Sequence, residues 1–237
     1  MSSGLGTQYI RSMTKRNGYS LACLSILSFI ACAILYAEFS DYAQLPLIFL
    51  MSACIVGFII AVCKIQEPDY SFMLNGQGLL YHHKKGFLLI EWDNVQRIGI
   101  PTINQGFETH ELAFIGVKLK DPEKILPAVS LRLISHLLIE QRATFHQYLK
   151  SNLHDLNQSP SELSLNTDPY KAKNGYIYKG LRGMFAHRMK YLRLYSGFDI
   201  LIPDTAIDRP VNEFIHLLKA HQQAASVTLY DVSRKIS

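Results

Sequence analysis

The chain has 237 residues, 49% of them hydrophobic and 18% charged, with a net charge of +5 and a mean hydropathy of +0.08. So modest a basic excess, with no recognition motif beside it, argues against a nucleic-acid-binding protein. The averages also hide two unlike parts, because nearly all the excess apolar character lies before residue 64.

Residues 19–37 and 45–63 are two runs of nineteen residues without a charge. At about 1.5 Å per helical residue each reaches about 28 Å, close to the ~30 Å hydrocarbon core of a bilayer. A cleaved signal peptide fits less well, since its apolar core is usually only about 7–15 residues and here a second run follows at once. The spacing predicts a transmembrane hairpin over 19–63. Arg11, Lys15 and Arg16 precede it without an acid, the short connection holds Glu38 and Asp41 without a base, and Lys64 follows. Basic residues stay on the cytoplasmic side, so residues 1–18 are expected to form a cytoplasmic segment and both termini are expected inside. Cys23, Cys32, Cys54 and Cys63 all fall in the two runs and read as packing residues. Ala53, Gly57 and Ala61 recur every four residues, a small-residue face that allows close helix approach.

After Pro68 the pattern shortens. Strands are predicted at 70–74, 79–83, 87–92, 95–103 and 111–119, separated by Asn75-Gly76-Gln77-Gly78, Lys84-Lys85-Gly86 and Asn104 to Gly106. Turns this close together predict an antiparallel meander. A helical period then covers 131–152, with Leu131, Ile134, Leu138, Phe145 and Leu149 broadly on one face. Residues 154–169 read as a loop, 178–195 as a second amphipathic helix and 198–202 as a strand. Asp208 and Pro210 start a closing helix to about Gln223, leaving 224–237 as a tail.

The runs NGQGLLYHH (75–83) and FLLIEWDNVQRI (87–98) resemble the opening strands of bacterial pleckstrin-homology-like (PH-like) domains. FIGVKLKDPEKIL (114–126) and GFDILIPDTAIDRPVNEFIHLLKAH (197–221) are similar to later segments of uncharacterised bacterial proteins that place two transmembrane helices before such a domain. The resemblance implies an α+β membrane protein of the bacterial inner membrane. Its hairpin would be followed by a PH-like antiparallel sheet domain over 66–223 with a C-terminal helix. Residues 131–195 depart from the pattern and read as a helical insertion.

Chemistry-bearing constellations are weak. His82 and His83 are neighbours on a strand and point to opposite faces. His110-Glu111 opens like a zinc-protease motif but lacks the second histidine. His216 and His221 are five apart and do not align on a helix face. No cysteine follows Cys63, and Gly76-x-Gly78 continues into a strand instead of opening a phosphate-binding helix. No catalytic, metal or cofactor residue is assigned, and the chain is read as a non-enzyme.

The distinctive stretch is 169–198, which holds Lys171, Lys173, Lys179, Arg182, Arg188, Lys190 and Arg193, seven aromatics and no acid. On a helical wheel Leu181, Met184, Phe185, Leu192 and Tyr195 share one side, and Lys179, Arg182, Lys190 and Arg193 another. The plain reading is a core helix with solvated bases. The functional one is contact of those four bases with an anionic inner leaflet, where each adds about 1 kcal/mol. The expected function is thus a membrane-tethered binding or scaffold module presenting a surface to anionic lipid or to a protein partner. The alternatives are a membrane-linked hydrolase or metal-dependent enzyme whose site the sequence does not display, and a subunit of a larger membrane complex.

Overall fold

The computed structural model describes residues 6–11, 17–38, 44–66, 70–105, 108–152 and 159–236. Lys15, Arg16, Asp41, Gly106 and the start of the expected 154–169 loop lie outside these. The chain forms two compact units, one of residues 12–69 and one that joins residues 1–11 to 70–237.

The first unit is a helix pair, α1 (Gly18–Glu38) and α2 (Gln44–Ile65). Both helices are long and apolar enough to cross a membrane, with mean hydropathies of 2.2 and 2.7, and most of their large side chains face outward. Gly18, Ser25 and Cys32, the buried residues of α1, recur every seven residues, the spacing that holds one seam between two helices. Gly57 meets that seam, since a Cβ on it would stand 2.9 Å from Ser25 Oγ, and Ala61 is fully buried. Ala53 is exposed, so the small-residue face is narrower than the four-residue repeat suggests.

The second unit is mixed α+β. A four-stranded antiparallel sheet runs in the order β1 (Gln8–Ile10), β2 (Phe72–Leu74), β3 (Gly78–His83), β4 (Gly86–Glu91). The β2–β3 turn is set by Asn75, whose Oδ1 accepts the N–H groups of Gln77 and Gly78 at 3.0 and 2.9 Å, while its carbonyl accepts from Trp92 Nε1 at 2.8 Å. The expected fourth strand breaks at Gly99 into β5 (Val95–Gly99) and β6 (Thr102–Gln105), and the expected fifth shortens to β8 (Phe114–Leu119), preceded by an additional strand, β7 (Glu108–Glu111). β6 and β7 form their own ribbon, and β5 and β8 join β11 (Ile200–Pro203) in a three-stranded sheet with β8 at its centre.

The helical region is built from α3 (Leu131–Glu140), α4 (Arg142–Ser151), α5 (Pro160–Ser164) and α6 (Gly180–Ser196), with a small ribbon of β9 (Tyr170–Lys171) and β10 (Ile177–Tyr178) before α6. The expected single helix over 131–152 is split at Gln141, which leaves helical geometry and donates its side-chain amide to the Leu201 carbonyl at 2.6 Å. Ser130 caps α3 by accepting the Leu133 N–H, and Ser159 with Glu162 forms a reciprocal capping box on α5, inside the expected loop. Gly197, at φ 76°, ends α6 in the left-handed conformation that lacks a Cβ penalty.

Two expectations about the termini change. Residues 1–18 include β1, whose Ile10 pairs with Phe72 and is fully buried, because the open edge of β2 and an apolar side chain are both satisfied by that pairing. The expected tail is helical, since α7 (Val211–Ile236) continues through it. α7 closes the core with Phe214, Ile215 and Leu218, and Gln222 donates to the Val95 carbonyl at 2.9 Å.

Candidate functional site

α6 is the element that gathers charge in this unit, and its amphipathic pattern places Phe185, Ala186, Met189 and Leu192 in the core. Two of its bases are part of the fold. Arg193 donates from Nε and Nη2 to the two carboxylate oxygens of Asp199, both at 2.7 Å, and from Nη2 to the Leu119 carbonyl at 2.7 Å. Asp199 Oδ2 in turn accepts the Leu119 N–H at 2.7 Å, so one network ties α6 to β8 and to the start of β11. The bond to Asp199 raises the Arg193 pKa against the opposing effect of burial. Arg188 is buried, stacks over the Phe145 ring at 4.0 Å and donates Nη2 to the Ser164 carbonyl, and burial pushes its pKa down to about 10.

The four expected lipid-contact bases therefore separate. Lys179 and Lys190 are exposed and Arg182 is half-buried, while Arg193 is engaged with Asp199. Lys179 and Lys190 stand at opposite ends of three helical turns, about 16 Å apart along the axis.

Beside the Arg193–Asp199 pair lies a cleft of about 100 Å³, with Glu123, Tyr170, Lys173 and Lys190 among its walls. Glu123, on a short 3-10 turn (Pro122–Ile125), accepts from Tyr170 Oη at 3.2 Å and from the Lys173 N–H at 3.0 Å. Burial, reinforced by the Glu123 carboxylate, raises the Tyr170 pKa, so the phenol is a neutral donor. The acidic groups of the cleft are occupied by internal donors, and Lys173 and Lys190 line it. With both carboxylates already paired, the cleft offers the ammonium groups of two exposed lysines as cationic contacts.

The histidines distribute as follows. His83 and His136 lie with ring centroids 4.3 Å apart, and His136 Nδ1 is 3.5 Å from Glu140 Oε2 without forming a hydrogen bond. Burial, then His136, Lys84 and Lys85, push the His83 pKa down to about 4. His221 is buried against the Trp92 ring, its Nε2 3.4 Å from Gln8 Oε1, while His110 is half-exposed beside Glu108 at 3.4 Å. Among the described residues no three His, Cys, Asp or Glu side chains are grouped to hold a metal ion. The Arg193–Asp199 network was invisible in the sequence, because nothing in a spacing of six across a Gly197 turn signals a pair.

A family model described as "Protein of unknown function (DUF2982)" matches residues 72–224. That is well over half of the chain, which belongs to this family. No curated protein and no solved structure matches the chain.

Proposed function

We propose that this DUF2982 protein is a membrane-tethered binding module of the bacterial inner membrane. Its two N-terminal helices span the bilayer, its termini lie in the cytoplasm, and a PH-like domain works at the inner-leaflet surface. The observation that carries the reading is the pairing of two apolar helices, 21 and 22 residues long and each with its single charged residue (Glu38, Lys64) in the last turn, with a separate sheet domain connected to them at both ends of the hairpin. Four-stranded and three-stranded antiparallel sheets with a closing C-terminal helix also support the PH-like reading. The partner of the α6 region is an anionic headgroup, met by Lys179, Arg182 and Lys190, with Arg193 reserved for Asp199.

The test uses the full-length chain in lipid nanodiscs. Hydrogen exchange across α6 should slow when phosphatidylglycerol is added to a phosphatidylcholine disc, and the protection should vanish at high salt or on joint replacement of Lys179, Arg182 and Lys190 by Gln. Equal exchange in neutral and anionic discs rejects the lipid partner.

A further inference from the structure

The four-stranded sheet buries one rung and leaves the next partly exposed, at Tyr9 and Leu89 most of all. Ile10, Phe72, Tyr81 and Leu88 are direct cross-strand partners and all lie in the core. One residue along each strand, Tyr9, Met73, Leu80 and Leu89 are also direct partners, and alternation turns them to the opposite face. The outer face of a half-solvated antiparallel sheet is ordinarily polar. Here it is an apolar row across all four strands, with Tyr9 57% and Leu89 36% exposed, and Phe87, two residues before Leu89, 58% exposed. Tyr70 extends the row, its ring 5.2 Å from those of Tyr9 and His82.

This face is also polarised along its strands. Beyond the apolar rung at one end come Arg11, His82, Phe87 and the Lys84-Lys85 turn, and at the other end come Glu91 and then Asp93. Ile10 and Phe72 pair at the basic end, and from that same end both connections to the apolar helices depart. Residues 11–17 lead to α1 and residues 66–71 lead from α2. The basic and aromatic end of the face is thus the end at which the chain leaves and re-enters the sheet. Tyrosine, lysine and arginine around an apolar centre is the composition of a surface seated at a membrane–water interface.

We infer that the outer face of this sheet rests on the phospholipid bilayer, with Tyr9, Phe87 and Leu89 inserted at headgroup level and Arg11, Lys84 and Lys85 against the phosphates. The inference rests on the reading that α1 and α2 span the membrane, and it adds which face of the domain the bilayer covers. Because insertion is apolar, this contact persists at high salt and on neutral lipid, unlike the charge contact of α6.

The chain's single tryptophan, Trp92, is buried and serves as an internal reference for folding. Full-length F87W and, as comparison, L194W on α6, where Leu194 is 68% exposed, are placed in phosphatidylcholine nanodiscs with and without brominated acyl chains. F87W emission should be blue-shifted and strongly quenched by brominated lipid, at low and high salt alike, while Trp92 in the parent chain is unaffected. Equal emission in brominated and plain discs overturns the inference. So does protection of F87W from both brominated lipid and aqueous acrylamide, which would place a second copy or another protein on the face. Quenching of L194W alone would assign the bilayer to α6 and overturn it too. Loss of the chain from membranes under alkaline carbonate would instead reject the spanning hairpin, so the two failures are distinct.

Discussion

Arg193 grips Asp199 through two 2.7 Å hydrogen bonds, and the same carboxylate accepts the Leu119 N–H. Asp199 is 1% exposed, so this is a buried carboxylate fully matched by donors from α6 and β8. Breaking such a pair from one side strands the partner, which costs about 3 kcal/mol or more. Asp199→Ala should therefore lower the unfolding free energy of the detergent-solubilised chain by roughly 3 kcal/mol. Arg193→Lys should lose less, because it keeps the charge but not the fork. Denaturant melts followed by Trp92 fluorescence measure both, and wild-type stability in D199A would contradict the network's role.

Gly116 on β8 carries no side chain because the Phe198 ring occupies the space where a Cβ would be. Gly116→Val should destabilise by about 1–3 kcal/mol, the usual range for overpacking a filled core. Adding Phe198→Ala should recover part of that loss, and strictly additive effects of the two changes would show that the ring is not the obstacle.

The N-terminal strand is a working part of the domain. Ile10 is fully buried against Phe72, so Ile10→Ala should cost about 2–4 kcal/mol in the same melts. Removal of residues 1–65 should yield a weaker domain than one in which residues 6–11 are rejoined ahead of Tyr70 by a flexible linker. Equal melts for these two proteins would show that β1 is dispensable.

His83 stays neutral in the fold because burial and the neighbouring His136, Lys84 and Lys85 hold its pKa near 4, below its ordinary 6.5. The unfolded chain then binds the proton first on acidification. The His83 contribution to stability is complete above pH 6.5 and is lost as the pH falls toward 4. His83→Gln should flatten the fall in melting temperature between those two values, and an unchanged slope would place the pH dependence elsewhere.

Much of the fold was legible, for reasons that differ along the chain. The two apolar helices show through composition alone, and the Asn75 to Gly78 turn and the apolar rhythm of β3 and β4 through local chemistry. What was hidden depends on distant partners. β1 is three residues long and becomes a strand only because β2 offers it an edge. The helix break at Gln141 depends on the Leu201 carbonyl sixty residues away. In the α6 region the helical wheel correctly separated Phe185 and Leu192 from Lys179 and Lys190. It did not show Arg188 entering the core over Phe145, nor Arg193 held by Asp199, because a long basic side chain can snorkel or bury according to the acceptors around it.

A hairpin that spans the bilayer would tether the domain to the cytoplasmic face. Topology reporters placed after Arg16, at Asp41 and after Ser237 in the full-length chain test it most directly. Cytoplasmic, external and cytoplasmic signals are expected in that order, in a protein that resists alkaline carbonate extraction. An external signal at Ser237, or release of the chain by carbonate, would contradict it.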